Sequence, residues 1–380
     1  MTQILRMWWP IFAAMALIQA GNGVTGTLIS VTSESRGFEP WLKGLVLSAF
    51  YAGSAAGAFF TPMAIARSTH VAAVAGFILI AVAATAGYAL NDAPLLWVFL
   101  RLMAGFGLSG AFATVESWLN LGTKDDWRAR VFSIYLMVQL GGLAAGQLFL
   151  NARGYGNELL FLIAALLTLS AVGFLRFEAV ENPHFEAPQK MGLVRLFRRS
   201  PFGVSAVVLS GYAWAALMAS GPALVELIGL SDFAKSIFMT LAVVSGVAAQ
   251  FPVASLADHR DRRLVLAAMA GVAALSAMAG LVDGELALMV FAVAFGAATF
   301  PLYAVGVARV SERLEQSERT AASASMIVFF LLGAIVAPPL LSYAIALFGP
   351  RGYFVVLALP HAGFAMMALA MTRAKAPQSS

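Results

Sequence analysis

The chain reads as an all-α integral membrane protein of twelve transmembrane helices in two pseudo-symmetric six-helix bundles. Three observations predict this. Of its 380 residues, 61% are hydrophobic and 11% charged, and the mean hydropathy is +0.84. The apolar residues form about a dozen runs, each near the roughly 20 residues that carry a helix across a hydrocarbon layer of about 30 Å. Lysine and arginine concentrate in alternate loops. Barrel strands would alternate apolar and polar residues. Val71–Leu90 shows no alternation and is apolar on every face, as a lipid-embedded helix is.

The first predicted span, 8–31, follows Arg6 and ends before Arg36. It is long for the apolar core of a cleaved leader, and Arg36 and Lys43 follow it, so it is read as a span. The second, 42–65, ends at Arg67; the third is 71–90. The fourth, 94–118, holds Arg101 and Glu116 within it. The fifth, 131–150, follows Lys124, Arg128 and Arg130, and the sixth is 157–177. A polar break, 178–200, carries Pro183 and Pro188, which oppose one continuous helix. Its end, Met191–Ser200, reads as a short basic amphipathic helix on the membrane surface. Spans resume at 201–226, 235–257, 264–282, 285–308, 320–345 and 350–371. The domains are therefore residues 1–177, a linker 178–200, and residues 201–380.

With the N-terminus in the cytoplasm, 18 of the 24 Lys and Arg fall inside, 5 outside and one, Arg101, within a span. That asymmetry predicts cytoplasmic termini and a multi-pass protein of the plasma (inner) membrane. It also explains the net charge of +5 without nucleic acid. The absence of cysteine removes disulfides and thiol chemistry, and four histidines without ligand spacing give no metal site. No cofactor is expected.

The halves repeat. Trp41-Leu-Lys43-Gly opens span two and Phe233-Ala-Lys235-Ser opens span eight, 192 residues on. Pro10 near the start of span one matches Pro201 at the start of span seven. Two such halves are the mark of a transporter with its site between repeats.

The loop after span eight reads Ala254-Ser-Leu-Ala-Asp258-His-Arg-Asp-Arg262-Arg263. It resembles the signature loop of the major facilitator superfamily, in which Leu-Ala-Asp precedes a basic pair. The first copy is degenerate: Gly57 and Arg67 remain, but Ala66 stands where the repeat places the aspartate. Arg101-Leu-Met-Ala-Gly105-Phe-Gly107 is similar to that superfamily's span-four motif. With Val115-Glu116-Ser117 and Phe300-Pro-Leu-Tyr303, the chain most resembles the YcaD-like group. The resemblance covers nearly the whole chain and implies a transporter fold. Span five keeps Gly141, Gly142 and Gly146 of the antiporter motif but lacks its central proline, so exchange is not supported.

Asp258, at a helix end, is placed to pair with Arg262 or Arg263 and to latch the bundles. The plainer reading is a solvated loop that sets topology. Arg101 either attracts an anionic solute and assists proton transfer, or holds helix-end carbonyls. Glu116, 15 residues on, lies about 22 Å along the helix, on the same broad face. It either carries a coupling proton or pairs with Arg128 or Arg130 as an inner gate. Gln19 and Asn22 on span one, and Tyr135 and Gln139 on span five, form polar strips at helical spacing. Tyr51, Tyr212, Trp214 and Tyr303 supply aromatic walls or packing. Glu34 and Glu226 end spans one and seven facing water.

Together these features predict a secondary transporter of a small organic solute, proton-coupled and working as a monomer by alternating access. The alternative is an exporter of amphipathic compounds or drugs. The sequence has no G-x-x-x-x-G-K-[ST] loop to bind ATP, and its sparse interior charges supply no catalytic constellation, so an enzyme is not expected.

Overall fold

The computed structural model describes residues 2–175 and 191–373. Most of the predicted linker, with Pro183, Pro188 and Lys190, lies outside the described residues, as do Arg176 at the end of predicted span six and Lys375. Among those described, the chain is helical and has no strand. It divides into two compact units, Met1–Phe38 with Leu45–Ala187, and Glu39–Gly44 with Pro188–Ser380.

The first unit is built from α1 (Thr2–Ser35), α2 (Pro40–Arg67) from Leu45 onward, α3 (His70–Leu90), α4 (Pro94–Gly122), α5 (Asp125–Gln147) and α6 (Asn157–Phe174). A 3-10 segment, Leu148–Tyr155, joins the last two. The second unit holds α7 (Leu193–Arg199), α8 (Pro201–Ala215), α9 (Gly221–Leu227), α10 (Asp232–His259), α11 (Arg262–Ala279), α12 (Glu285–Ser311), α13 (Gln316–Phe348) and α14 (Pro350–Arg373). A π turn, Ala216–Ser220, joins α8 and α9 into one continuous span, Pro201–Leu227.

Among the described residues, eleven helical stretches are long and apolar enough to cross a membrane. Of the predicted spans, 131–150 is the one outside that set. Its helix α5 opens on Asp125, Asp126, Arg128 and Arg130, and carries Tyr135, Gln139, Gln147 and three glycines, which dilute its apolarity. The helix also stops at Gln147, where the chain tightens into the 3-10 segment.

Helix starts follow local chemistry. Thr69 caps α3 by accepting from the Ala72 amide at 3.1 Å, and Ser231 caps α10 by accepting from Ala234 at 3.1 Å. Proline occupies the first turn of α4 and α8, where its missing N–H costs nothing.

Glycines then set how closely the helices approach. A Cβ on Gly53 of α2 would lie 1.9 Å from the Leu102 carbonyl oxygen of α4, and one on Gly105 would lie 2.0 Å from that of Phe50. Gly107 meets α3 in the same way, 2.5 Å from the Phe77 oxygen. The glycines that follow Arg101 thus bring α2 and α3 directly onto α4.

Candidate functional site

That close approach fixes what surrounds Arg101. It is 3% exposed, and its guanidinium carbon lies 4.4 Å from the Phe50 ring centroid. Tyr51 and Tyr88 are also within electrostatic reach. The Tyr88 hydroxyl faces the guanidinium without a well-aligned hydrogen bond, and Arg101 Nε is buried with no partner. Among the described residues no carboxylate forms an ion pair with Arg101. One turn earlier, Trp97 packs on Tyr88 at 5.3 Å and on Phe161 at 5.8 Å. Arg36 lies 5.1 Å over the Trp97 ring and pairs with Asp92 at 2.6 Å and Glu158 at 3.2 Å. Arg36 therefore has carboxylates to hold it, and Arg101 has an aromatic face.

The two polar strips predicted on spans one and five meet. Gln19 Nε2 donates to Gln139 Oε1 at 2.6 Å, and Asn22 Nδ2 donates to Gln19 Oε1 at 3.0 Å. Glycine again permits this. A Cβ on Gly142 would stand 2.6 Å from the Ala16 oxygen, and one on Gly146 would stand 2.1 Å from that of Ala20. One turn before Gln139, Tyr135 donates its hydroxyl proton to Glu116 Oε1 at 3.2 Å. Glu116 does not pair with Arg128 or Arg130, which are exposed at the start of α5. The reason is distance along the helix: α4 continues from Glu116 to Gly122, about 9 Å before the chain turns.

In the second unit the predicted aromatics engage in packing. The Tyr212 hydroxyl donates to the Val356 carbonyl at 3.0 Å. Trp214 packs on Phe300 at 5.1 Å, and Tyr303 on Phe330 at 5.5 Å. Asp258 pairs with Arg262 at 3.1 Å, and Arg262 also binds Glu312, which Arg309 holds from α12. Arg263 contributes its backbone amide, which donates to Asp261 at 2.9 Å. The capping aspartate of α11 is therefore Asp261, three residues past Asp258.

Glu226 does not simply face water: it pairs with Lys235, which is 4% exposed and also bonds Asp232 at 2.6 Å. His361, inside the predicted span 350–371 and not among the candidate residues, is fully buried, with Nδ1 2.7 Å from the Leu357 carbonyl oxygen. Phe50 and Tyr88 also escaped the sequence. Each sits in an apolar run on a different helix from Arg101, and no spacing rule links them.

The Major Facilitator Superfamily profile matches residues 11–242 and 203–380. An uncharacterized MFS-type transporter of Enterobacter sp. (strain 638) is 26% identical over 351 residues, covering 92% of this chain and 91% of that protein. The uncharacterized MFS-type transporter YcaD of Escherichia coli O17:K52:H18 is 25% identical over 354 residues, with the same coverage of 92% and 91%. Among solved structures, the nucleoside transporter NupG superposes with a TM-score of 0.78 at 14% identity, over 98% of this chain and 100% of that one. A bacterial homolog of the human lysosomal transporter Spinster, inward-facing and unoccupied, gives 0.68 at 15% identity, over 95% and 93%. These two share the fold. The profile spans both units, and the chain belongs to the Major Facilitator Superfamily, a family of multi-pass membrane transporters.

Proposed function

We propose that this chain is a secondary transporter that moves a small organic anion or zwitterion by alternating access between two six-helix bundles, with protons as the coupling ion. The observation that carries the reading is Arg101, buried to 3% exposure over an aromatic ring without a carboxylate partner. A charge at membrane depth is costly and ordinarily faces a partner or a watered cavity. A solute carboxylate or phosphate would supply the partner that the protein does not. Glu116, hydrogen-bonded to Tyr135 on the same helix as Arg101, is the proposed proton carrier. The Gln19–Gln139–Asn22 amides offer neutral donors and acceptors for the rest of the solute. In this reading α5 is the twelfth span, both termini are cytoplasmic and the monomer works in the inner membrane.

The test is thermal unfolding of the detergent-purified protein with a solute panel at two pH values. A ligand of the folded state raises the melting temperature by mass action. An organic anion that stabilises wild type and not Arg101→Ala supports the reading. Uptake of that anion into liposomes should then follow an inward proton gradient. Stabilisation only by lipophilic cations or uncharged drugs overturns it in favour of export of amphipathic compounds.

A further inference from the structure

The two units differ at one equivalent helix pair. In the first, α1 lies directly on α6: a Cβ on Gly21 would stand 2.7 Å from the Ala164 carbonyl oxygen and 2.3 Å from Thr168 Oγ1. Tyr212 stands 191 residues after Gly21, the offset that separates Pro10 from Pro201. Val356 stands 192 residues after Ala164, the offset that separates Trp41 from Phe233. In the second unit this position is bridged by the Tyr212 hydroxyl, which donates to the Val356 carbonyl at 3.0 Å. Pro360, four residues on, has no N–H, so that carbonyl lacks its helical donor. Tyr353 returns the bond, donating to the Ala216 carbonyl in the π turn at 2.8 Å. Where one unit sets a glycine against a backbone, the other sets the length of a tyrosine.

The helices held apart in this way leave space. A cleft of about 420 Å³ lies against α8, α13 and α14, lined by Phe197, Leu209, Tyr212, Val336, Pro360 and Phe364. That is within the size of small-molecule sites. The two glycines of α8 do not close it, because Gly203 packs on Val310 and Gly211 on Phe330.

At one end of the cleft sits α7. Leu196 anchors it in the core of the second unit, while Val194 and Phe197 are exposed apolar residues, as on a helix lying in a membrane interface. Arg195 is held by Glu318 at 2.6 Å. Arg198 and Arg199, next to the cleft-lining Phe197, are exposed and make no ion pair or side-chain hydrogen bond among the described residues. Basic residues beside an apolar groove complement an anionic lipid headgroup.

We propose that this cleft is a binding site for an anionic phospholipid of the bilayer, with an acyl chain along Tyr212 and Phe364 and the phosphate at Arg198 and Arg199. The site is separate from Arg101 and stands whether or not the transport reading does.

The experiment is native mass spectrometry of the full-length protein in detergent with phosphatidylglycerol or phosphatidylcholine of identical chains, alongside thermal unfolding. Wild type should retain one phosphatidylglycerol per chain at least tenfold in preference to phosphatidylcholine. The pair Arg198→Gln and Arg199→Gln should lose the preference, and the corresponding lysine pair should keep it. Val336→Trp, which fills the cleft from a half-exposed position, should lower retention of both lipids. It decides the matter alone if the glutamine pair does not fold. Equal retention of the two lipids by wild type, or unchanged phosphatidylglycerol binding in Val336→Trp, overturns the proposal. So does equal retention of a cationic amphiphile.

Discussion

Gln19 donates to Gln139 at 2.6 Å, at the place where Gly142 and Gly146 let α1 and α5 close to backbone contact. The pair is more than a contact between two polar strips. Gln19 is 8% exposed, so its amide has few other partners. Gln139→Leu leaves that donor unsatisfied and should cost about 1–3 kcal/mol. Gln19→Leu with Gln139→Leu should cost less than the two single changes added together, because the second removes the group the first stranded. Thermal unfolding of the four proteins measures it. Additive losses would mean the bond contributes nothing beyond shape.

Glycines within α5 separate packing from propensity. Gly146→Ala sets a methyl 2.1 Å from the Ala20 oxygen and should destabilise by about 1–3 kcal/mol, since neither backbone yields easily. Gly141→Ala meets nothing within 4 Å and should be neutral, or stabilising by up to about 1 kcal/mol through helix propensity. The melting temperature should therefore fall for Gly146→Ala and stay level or rise for Gly141→Ala.

The same helices show what was legible in the sequence. Tyr135, Gln139, Gly142 and Gly146 repeat at helical spacing, so their shared face was readable without coordinates. That Gln139 would meet Gln19 needed the α1–α5 pairing, a contact between residues 120 apart. Arg101 announced itself as a charge in an apolar run. Its aromatic neighbours did not, because Phe50 and Tyr88 look like any other core residue in a membrane helix. Tyr212 was legible as an aromatic on span seven, whereas its bond depends on a carbonyl freed by Pro360 on another helix. Charges near helix ends were the least legible. Glu226 read as a solvated end, yet it pairs with the buried Lys235.

Arg101 separates stability from function. A buried cation without a carboxylate contributes little to the fold, and replacing buried charge by an apolar group of similar volume is often neutral or stabilising. Arg101→Met should keep or raise the melting temperature while abolishing stabilisation by organic anions. Arg101→Lys keeps the charge but not the planar group over Phe50, and should recover only part of the anion response. Destabilisation of Arg101→Met by more than about 2 kcal/mol would make the arginine a structural residue.

Lys235 and Arg351 form a contrast between buried and exposed pairing. Lys235 is 4% exposed and joins Glu226 and Asp232. Lys235→Met removes the buried cation that both carboxylates share and should cost about 1–3 kcal/mol after allowance for their partial exposure. Arg351 pairs with Asp283 at 3.2 Å, with side chains 67% and 89% exposed. Arg351→Ala should change stability by less than about 1 kcal/mol, and any effect should fade in high salt. Thermal unfolding at two salt concentrations distinguishes the two sites.

Glu312 gives the loop beside Asp258 its dependence on pH. Burial works to raise its pKa, but hydrogen bonds from Arg309 and Arg262, and then their charges, hold it below the ordinary carboxylate value of 4.5. Protonation is therefore easier in the unfolded chain than in the folded one. The stabilisation is complete above about pH 4.5 and is lost as pH falls through the depressed folded value. Glu312→Gln should lower the melting temperature near neutrality by an amount equivalent to about 1 kcal/mol or less, since these groups are partly in water. It should also flatten the decline of melting temperature below pH 4.5 relative to wild type. Asp258→Asn removes only the 3.1 Å contact of a side chain that is 67% exposed, so it should change stability by less than about 1 kcal/mol. If Asp258→Asn costs more stability near neutrality than Glu312→Gln does, the motif aspartate, and not Glu312, is the carboxylate that holds Arg262.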